Sequence, residues 1–284
     1  MRSLERAHPL CCFVYLAAVL GITIFTRDPI ALAESAVGAA LLLILSGNIR
    51  IVIWLPVVTV VSAVTNPVFV HRGDTVLFFA GDLPVTAEAV LYGAVFGLMI
   101  SAAAGWSINA VKYITTDKYI WLFGRMLPVS GLVLSCGLRL VPLFIRRTRD
   151  FSASQGAVGI RDTLKAFSAS VGYSAEEAMT SADSMRARGY GTARRTSYSL
   201  YRLGGRETVQ LLAVVLVSVS AVSAMICGGG AFEFYPAVSG VGLSAADMLL
   251  YIAFGIMCVM PSCVILHENI KRSRIGCYDQ GALK

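Results

Sequence analysis

Long apolar stretches separated by short polar segments make up most of the chain. A helix needs about 20 predominantly apolar residues to cross the hydrocarbon core of a bilayer. Six stretches approach or exceed this length, and we predict a transmembrane helix for each: residues 10–26, 29–47, 51–66, 87–111, 207–227 and 246–267. The pattern therefore predicts an all-α, polytopic membrane protein with about six transmembrane helices.

Charge along the chain orients the six predicted spans. Residues 139–206 contain twelve Lys/Arg and five Asp/Glu, and their net charge of +7 equals that of the whole chain. Cationic loops remain on the cytoplasmic side of a membrane. This segment is therefore predicted to be cytoplasmic, whereas residues 228–246, which contain no Lys or Arg, are predicted to be external. Alternation of the spans then places both termini in the cytoplasm.

A further apolar stretch, residues 119–145, has cytoplasmic flanks in this topology and contains Arg125 and Arg139. It cannot cross the membrane once, so we predict helical segments that lie along the cytoplasmic interface or dip into it. The alternative is a seventh span that would invert the N-terminal half, and Lys112 and Lys118 argue against it.

Composition supports the membrane interpretation. Hydrophobic residues make up 56% of the 284 residues and charged residues 14%, whereas a soluble domain has roughly 25% charged residues. The seven cysteines form no Cys-x-x-Cys pair, which favours packing roles over metal or disulfide chemistry. We predict N-terminal transmembrane helices in residues 1–118, interfacial and cytoplasmic helices in 119–206, and C-terminal transmembrane helices with a cytoplasmic tail in 207–284. No small-x-small cleavage site follows the first apolar stretch, so it is expected to be a retained helix.

One amphipathic helix is predicted within the basic segment. Asp162-Thr163 offers an N-cap, and Gly189 with Gly191 supplies a C-terminal stop. Steps of three and four residues connect its apolar positions, which lie on one helix face: Leu164, Phe167, Val171, Ala175, Ala178, Ala182 and Met185. Glu176, Glu177 and Asp183 are expected on the opposite, solvated face. Arg186 and Arg188 therefore lie in the last turn, where a cation also stabilises a helix by about 0.3–1 kcal/mol.

A second helix is predicted to precede it, from about Leu140 to the sequence Ser154-Gln155-Gly156. Both predicted helices thus end with a long polar side chain followed by glycine. Cytoplasmic location alone explains the charge of the segment, but it does not explain this repeated arrangement.

Three stretches resemble one known family. Residues 66–73, Asn-Pro-Val-Phe-Val-His-Arg-Gly, are followed by Leu-Phe-Phe at 77–79. Residues 138–142 read Leu-Arg-Leu-Val-Pro, and residues 185–191 read Met-Arg-Ala-Arg-Gly-Tyr-Gly. Together and in this order they resemble motifs of the transmembrane T component of energy-coupling factor (ECF) transporters. These are ABC-class importers of vitamins and transition metals in prokaryotes, and the resemblance covers roughly residues 50–206.

The resemblance implies a mechanical role without catalysis. A T component has cytoplasmic coupling helices whose terminal arginines bind two ABC ATPase subunits. Its membrane part holds an S component, which binds the substrate and topples when the ATPases close. The chain is then expected in a prokaryotic cell membrane, with these partners and the lipid bilayer, no nucleic acid and no cofactor. The transported substrate is not readable, because selectivity belongs to the S component.

The resemblance also assigns candidate coupling residues. Ala187, Arg188 and Gly189 match the second Ala-Arg-Gly motif of the family. The first motif falls on Ser154-Gln155-Gly156, where the uncharged Gln155 stands in place of the family's arginine.

Two other classes of function stay open. The sequence contains no P-loop and no His/Glu pair with metal-ligand spacing. A membrane-embedded lipid-processing enzyme could hold anionic substrates on the basic segment, but it would need a constellation of intramembrane polar residues. Only isolated residues such as Glu34, Asn109 and Asp247 occur. The third class is a purely structural membrane scaffold.

Overall fold

Helices dominate the computed structural model, which describes residues 8–70, 73, 75–80, 83–126, 128–157, 163–190, 192, 201, 204–234 and 244–281. The described residues contain nine helices and one β-hairpin, so the predicted all-α class is confirmed. The helices are α1 Pro9–Phe25, α2 Pro29–Leu45, α3 Ile49–Phe69, α4 Ala87–Tyr113, α5 Thr116–Met126, α6 Pro128–Ala157, α7 Thr163–Ala187, α8 Gly205–Ile226 and α9 Ala245–Gly281.

Four of these helices are long and apolar enough to cross a membrane, which makes the chain a multi-pass membrane protein. They are α3, α4, the part of α8 from Glu207 and the part of α9 up to His267. The other two predicted spans, α1 and α2, are apolar helices of 17 residues each. Seventeen residues is roughly the lower limit for a spanning helix.

Proline and a preceding polar residue set the starts of α1 and α2. Pro9 and Pro29 occupy the first helical position, where a missing N–H costs no hydrogen bond. His8 Nδ1 accepts from the Leu10 N–H at 3.3 Å, and Asp28 Oδ1 accepts from the Ile30 N–H at 3.0 Å. Each cap satisfies one of the backbone donors that a helix start leaves unpaired.

The chain divides into two compact units. Unit one combines Met1–Thr115 with Leu203–Lys284, and unit two is Thr116–Arg202. In unit one, α2 packs against α4 and α9, and α3 packs along α4. Unit two contains α5, α6 and α7, and α6 packs against both of the others.

The core of unit one is organised around Trp106 of α4, which is fully buried. Its indole Nε1 donates to Ser35 Oγ at 3.0 Å, and Ser35 Oγ lies 2.8 Å from Thr23 Oγ1. The ring also meets Tyr15 edge-on, with centroids 6.1 Å apart. The hydroxyls of Thr23 and Ser35 and the indole of Trp106 thus connect α1, α2 and α4. Each of these three buried polar groups has a hydrogen-bond partner.

A β-hairpin follows α3 where the sequence predicted only a loop. Val76–Ala80 (β1) pairs antiparallel with Leu83–Thr86 (β2). The buried carboxylate of Glu88 accepts hydrogen bonds from the backbone N–H and the hydroxyl of Thr75, just before β1. A short apolar run has no periodicity that distinguishes a strand from other buried structure, so this pair of strands could not be predicted from the sequence.

The 119–145 stretch is helical, as predicted, but its boundaries differ. It is divided between α5 and α6, and α6 continues through Pro142 to Ala157 as one helix of 30 residues. The helix predicted to begin near Leu140 is therefore the second half of a longer one.

Two glycines of α4 permit the close approach of α3, and they supply a test of this packing. A Cβ at Gly97 would lie 2.7 Å from Ser62 Cβ and 2.9 Å from Thr59 Cα. Small residues four positions apart, here Gly93 and Gly97, are a common device for helix packing in membranes. We expect Gly97→Ala to destabilise the protein by about 1–3 kcal/mol, because the backbone of α3 must move.

The matched control is Gly21→Ala in α1, since no atom lies within 4 Å of a Cβ placed there. We expect that variant to stay within about 0.5 kcal/mol of the wild type. Thermal unfolding of both purified variants in detergent measures the difference. Equal unfolding temperatures would contradict the close α3–α4 contact.

Candidate functional site

The C-terminal end of α7 is closed by a Schellman motif. Gly189 has a φ of +73°, a left-handed conformation that glycine adopts at no steric cost. The Tyr190 N–H donates to Met185 O at 3.0 Å, and the Gly189 N–H donates to Arg186 O at 2.9 Å. These two bonds satisfy backbone carbonyls that a helix end otherwise leaves unpaired. The predicted glycine stop of this helix is confirmed.

The closed end presents two arginines. Arg188 occupies the capping position and Arg186 the last turn, and both are exposed. Within the described part of the chain, neither guanidinium has a hydrogen bond or an ion pair. Guanidinium is permanently charged and presents a planar set of donors that fits carboxylates in a bidentate manner. The arrangement therefore offers a cation at a fixed backbone position.

The first candidate motif lies in the last turn of α6 and differs from the second. Ser154 is exposed, and its Oγ donates to the backbone carbonyl of Asp150 at 2.6 Å. Gly156 is still helical, and α6 ends one residue later at Ala157. The side chain of Gln155 lies outside the described parts of the structure. Of the two motif glycines, Gly189 thus has a left-handed conformation, whereas Gly156 is part of its helix.

Aromatic and cationic contacts attach α7 to α6. The Arg147 Nη2 donates to the Tyr173 hydroxyl at 3.0 Å, and the guanidinium carbon lies 4.4 Å from the centre of the Tyr173 ring. Phe144 and Phe167 meet edge-on with centroids 5.7 Å apart. Arg147 and Tyr173 lie on different helices and share no motif, so their contact could not be predicted from the sequence.

The side of α7 that is buried is not the side that the apolar pattern predicted. Ala166 and Ser170 are almost fully buried. Leu164 and Phe167, on the predicted face, are 78% and 53% exposed. Small side chains allow two helices to approach closely. The buried hydroxyl of Ser170 donates a hydrogen bond to the backbone carbonyl of Ala166 at 2.7 Å. The contact between α6 and α7 therefore includes the small residues Ala166 and Ser170 as well as Phe167.

We call the exposed positions Leu164, Phe167 and Val171 the apolar face of α7; Val171 is 46% exposed. They lie three and four residues apart and so share one side of the helix. Glu176 and Asp183 are exposed as predicted, whereas Glu177 is half-buried. Unit two thus combines a basic helix end with apolar side chains that stay about half exposed or more, although Phe167 also contacts Phe144 of α6.

Two of the three polar residues considered for an intramembrane enzyme, Asp247 and Asn109, have structural contacts, whereas Glu34 Oε2 is buried without a hydrogen-bond partner among the described residues. Asp247 accepts from the backbone N–H groups of Gly230 at 2.8 Å and Ser244 at 3.0 Å. Asn109 Nδ2 donates to the Ala39 carbonyl at 3.3 Å. Among the described residues, no group of three or more His, Cys, Asp or Glu side chains is arranged to hold a metal ion.

Comparison with known proteins assigns no family: the chain matches no protein-family model and no curated protein. Its function is therefore argued from its motifs and from the geometry of its own residues. Arg188 at the end of α7 is the strongest candidate among them.

Proposed function

We propose that this chain is the T component of an ECF-type importer. It would pass the motion of two ABC ATPases through cytoplasmic coupling helices to an S component that binds a vitamin or a transition metal. The observation that carries the proposal is the exposed guanidinium of Arg188 at the closed end of α7. It lies within the third of three motifs that occur in the order typical of this family.

The geometry of unit two suits the transmission of a displacement. α7 has 25 residues, and a continuous helix deforms far less than a loop of the same length. Its contacts with α6, through Tyr173 and Phe167, oppose sliding between the two helices. A pull on Arg188 would therefore move both helices together rather than unwind the end of one.

The remaining parts of the proposal concern the membrane. The chain would cross a prokaryotic cell membrane six times, with α1 and α2 as the two short spans and both termini in the cytoplasm. The apolar face of α7 would be covered by a hydrophobic partner or by the interface of the bilayer, since exposed apolar surface of this kind favours association. The chain itself would have no catalytic residue and no cofactor.

An affinity purification from native membranes tests the proposal. The tagged chain is extracted in mild detergent, and the co-purifying proteins are identified by mass spectrometry. We expect two P-loop ATPases and one small hydrophobic protein. Recovery of the chain alone, under conditions that preserve other membrane complexes, would contradict the proposal and favour the enzyme or the scaffold.

The departure at Gln155 gives a further prediction. Gln155→Arg restores the arginine of the family's first motif, so we expect ATPase binding to stay intact or to become tighter. The measurement is the amount of ATPase retained per chain after washing at increasing salt concentration, because charge-assisted pairs are screened by salt. A substantial loss of ATPase in this variant would mean that the partner surface is specific for glutamine.

A further inference from the structure

A cavity of about 480 Å³ lies in unit one, whereas the candidate coupling residues belong to unit two. Its walls come from the turn between α1 and α2, from the first half of α4, and from residues 232–234 after α8. The volume falls in the range of roughly 300–1,000 Å³ that small-molecule sites occupy. The cavity is therefore large enough for a ligand rather than for a single water molecule.

Aromatic side chains build the wall of this cavity and hold one another in place. Phe234 meets Tyr92 edge-on at 5.3 Å between ring centroids and Phe232 at 4.7 Å, and Tyr92 stacks on Phe96 at 6.2 Å. Edge-on and stacked ring pairs add a stabilising free energy to that gained from burying their apolar surface. The apolar wall is thus formed before any ligand arrives.

The cavity opens toward the region where lipid would lie. Ile24, near the end of α1, is 52% exposed, and Phe96 of α4 is 43% exposed, although both line the cavity. Apolar side chains exposed on the outside of a multi-pass protein face hydrocarbon. An acyl chain can therefore enter from the bilayer without crossing a polar barrier.

Two opposite charges line the same cavity. Arg27 lies between the end of α1 and the start of α2, and it is exposed. In the described part of the chain, its guanidinium has no hydrogen bond and no ion pair. Glu233 is the acidic residue of the lining, and it also has an interaction within the chain. A ligand that fits both charges has an anionic and a cationic group next to each other and an apolar tail.

We infer that this cavity binds one zwitterionic phospholipid. One acyl chain lies against the wall formed by Tyr92, Phe96 and Phe234, and the phosphate accepts hydrogen bonds from Arg27. The ammonium group of the headgroup lies on the side of Glu233. Because the two lining charges cancel, a lipid with net negative charge gains no overall attraction here. The inference does not depend on the proposed coupling function.

Native mass spectrometry of the delipidated, full-length chain tests the inference. The chain is titrated with phosphatidylethanolamine, with phosphatidylglycerol of identical acyl chains, or with inorganic phosphate alone. We expect one phosphatidylethanolamine per chain, binding about threefold weaker for phosphatidylglycerol, and no phosphate adduct. Equal binding of the two lipids, binding of phosphate alone, or no saturable lipid adduct would overturn the inference.

Two variants and a control locate the site. Arg27→Gln is expected to weaken phosphatidylethanolamine binding about tenfold, because it removes a charge-assisted hydrogen bond. Met99→Trp places a larger side chain in the cavity, in the space that the acyl chain would take, and should weaken binding of the lipid. Arg50→Gln changes an exposed arginine near the start of α3, outside the cavity, and should bind as the wild type does. Equal affinities of the Arg27 and Arg50 variants would overturn the assignment of Arg27.

Discussion

Replacing Arg188 with glutamate is expected to remove the ATPase subunits from the purified complex. Loss of one partner from a desolvated charge pair costs about 2–5 kcal/mol, and charge reversal adds repulsion against the carboxylate with which Arg188 would pair under the proposed function. Binding should therefore weaken at least about 30-fold. The fold should survive, because Arg188 is exposed and the Schellman bonds at the end of α7 use backbone atoms only. The measurement is the ATPase retained per chain after affinity purification.

Two further variants separate this effect from a general change in charge. Arg149→Glu alters an exposed arginine of α6 that lies outside both candidate motifs, five residues before Ser154, and it should retain the ATPases. Arg188→Lys keeps the charge but loses the bidentate geometry, so its retention should be intermediate. Normal assembly of Arg188→Glu, or an equal loss in Arg149→Glu, would show that the end of α7 is not the coupling contact.

Replacing Trp106 with alanine is expected to give the largest loss of stability in unit one. The side chain is fully buried, so its removal leaves a cavity that costs about 3–5 kcal/mol. The variant also removes the indole donor that Ser35 Oγ accepts. A thiol-reactive dye can follow unfolding on heating, because Cys12 and Cys258 in the same core are buried until the helices separate.

The conservative variant Trp106→Phe isolates the hydrogen bond. It keeps an aromatic ring in the core but loses the Nε1 donor together with two ring carbons, and Ser35 Oγ still has Thr23 Oγ1 as a partner, 2.8 Å away in the wild type. Hydrogen bonds between transmembrane helices average about 0.6 kcal/mol, so the loss should be far smaller than for alanine. Similar unfolding temperatures for the alanine variant and the wild type would contradict the central position of Trp106.

The presence of the helices could be predicted because local properties of the sequence, such as apolar length and a terminal glycine, indicate them. Apolar length identified the six candidate spans, although the lengths of α1 and α2 alone do not decide whether they cross. Gly189 identified the end of α7 to within two residues, since a left-handed position at a helix end strongly favours glycine. Such features are read along the chain and need no knowledge of neighbouring helices.

Contacts between different helices were predicted less well than the helices themselves. The buried side of α7 is set by Ala166 and Ser170, whose small size matters only once α6 lies against them. The contact between Arg147 and Tyr173 joins residues 26 positions apart on two helices. The aromatic cavity of unit one gathers residues from three separate segments. No spacing rule along one segment could have brought these residues together.

The most direct test of the coupling account is photo-crosslinking from the end of α7. Tyr190, two residues beyond Arg188 and 46% exposed, is replaced by the photoreactive p-benzoylphenylalanine, and whole membranes are irradiated. Phe25 at the end of α1, 78% exposed in unit one, receives the same replacement as a control. The account predicts an adduct between the chain and an ATPase subunit from position 190 and none from position 25. Adducts with lipid or with other proteins, but not with an ATPase, from position 190 would contradict it.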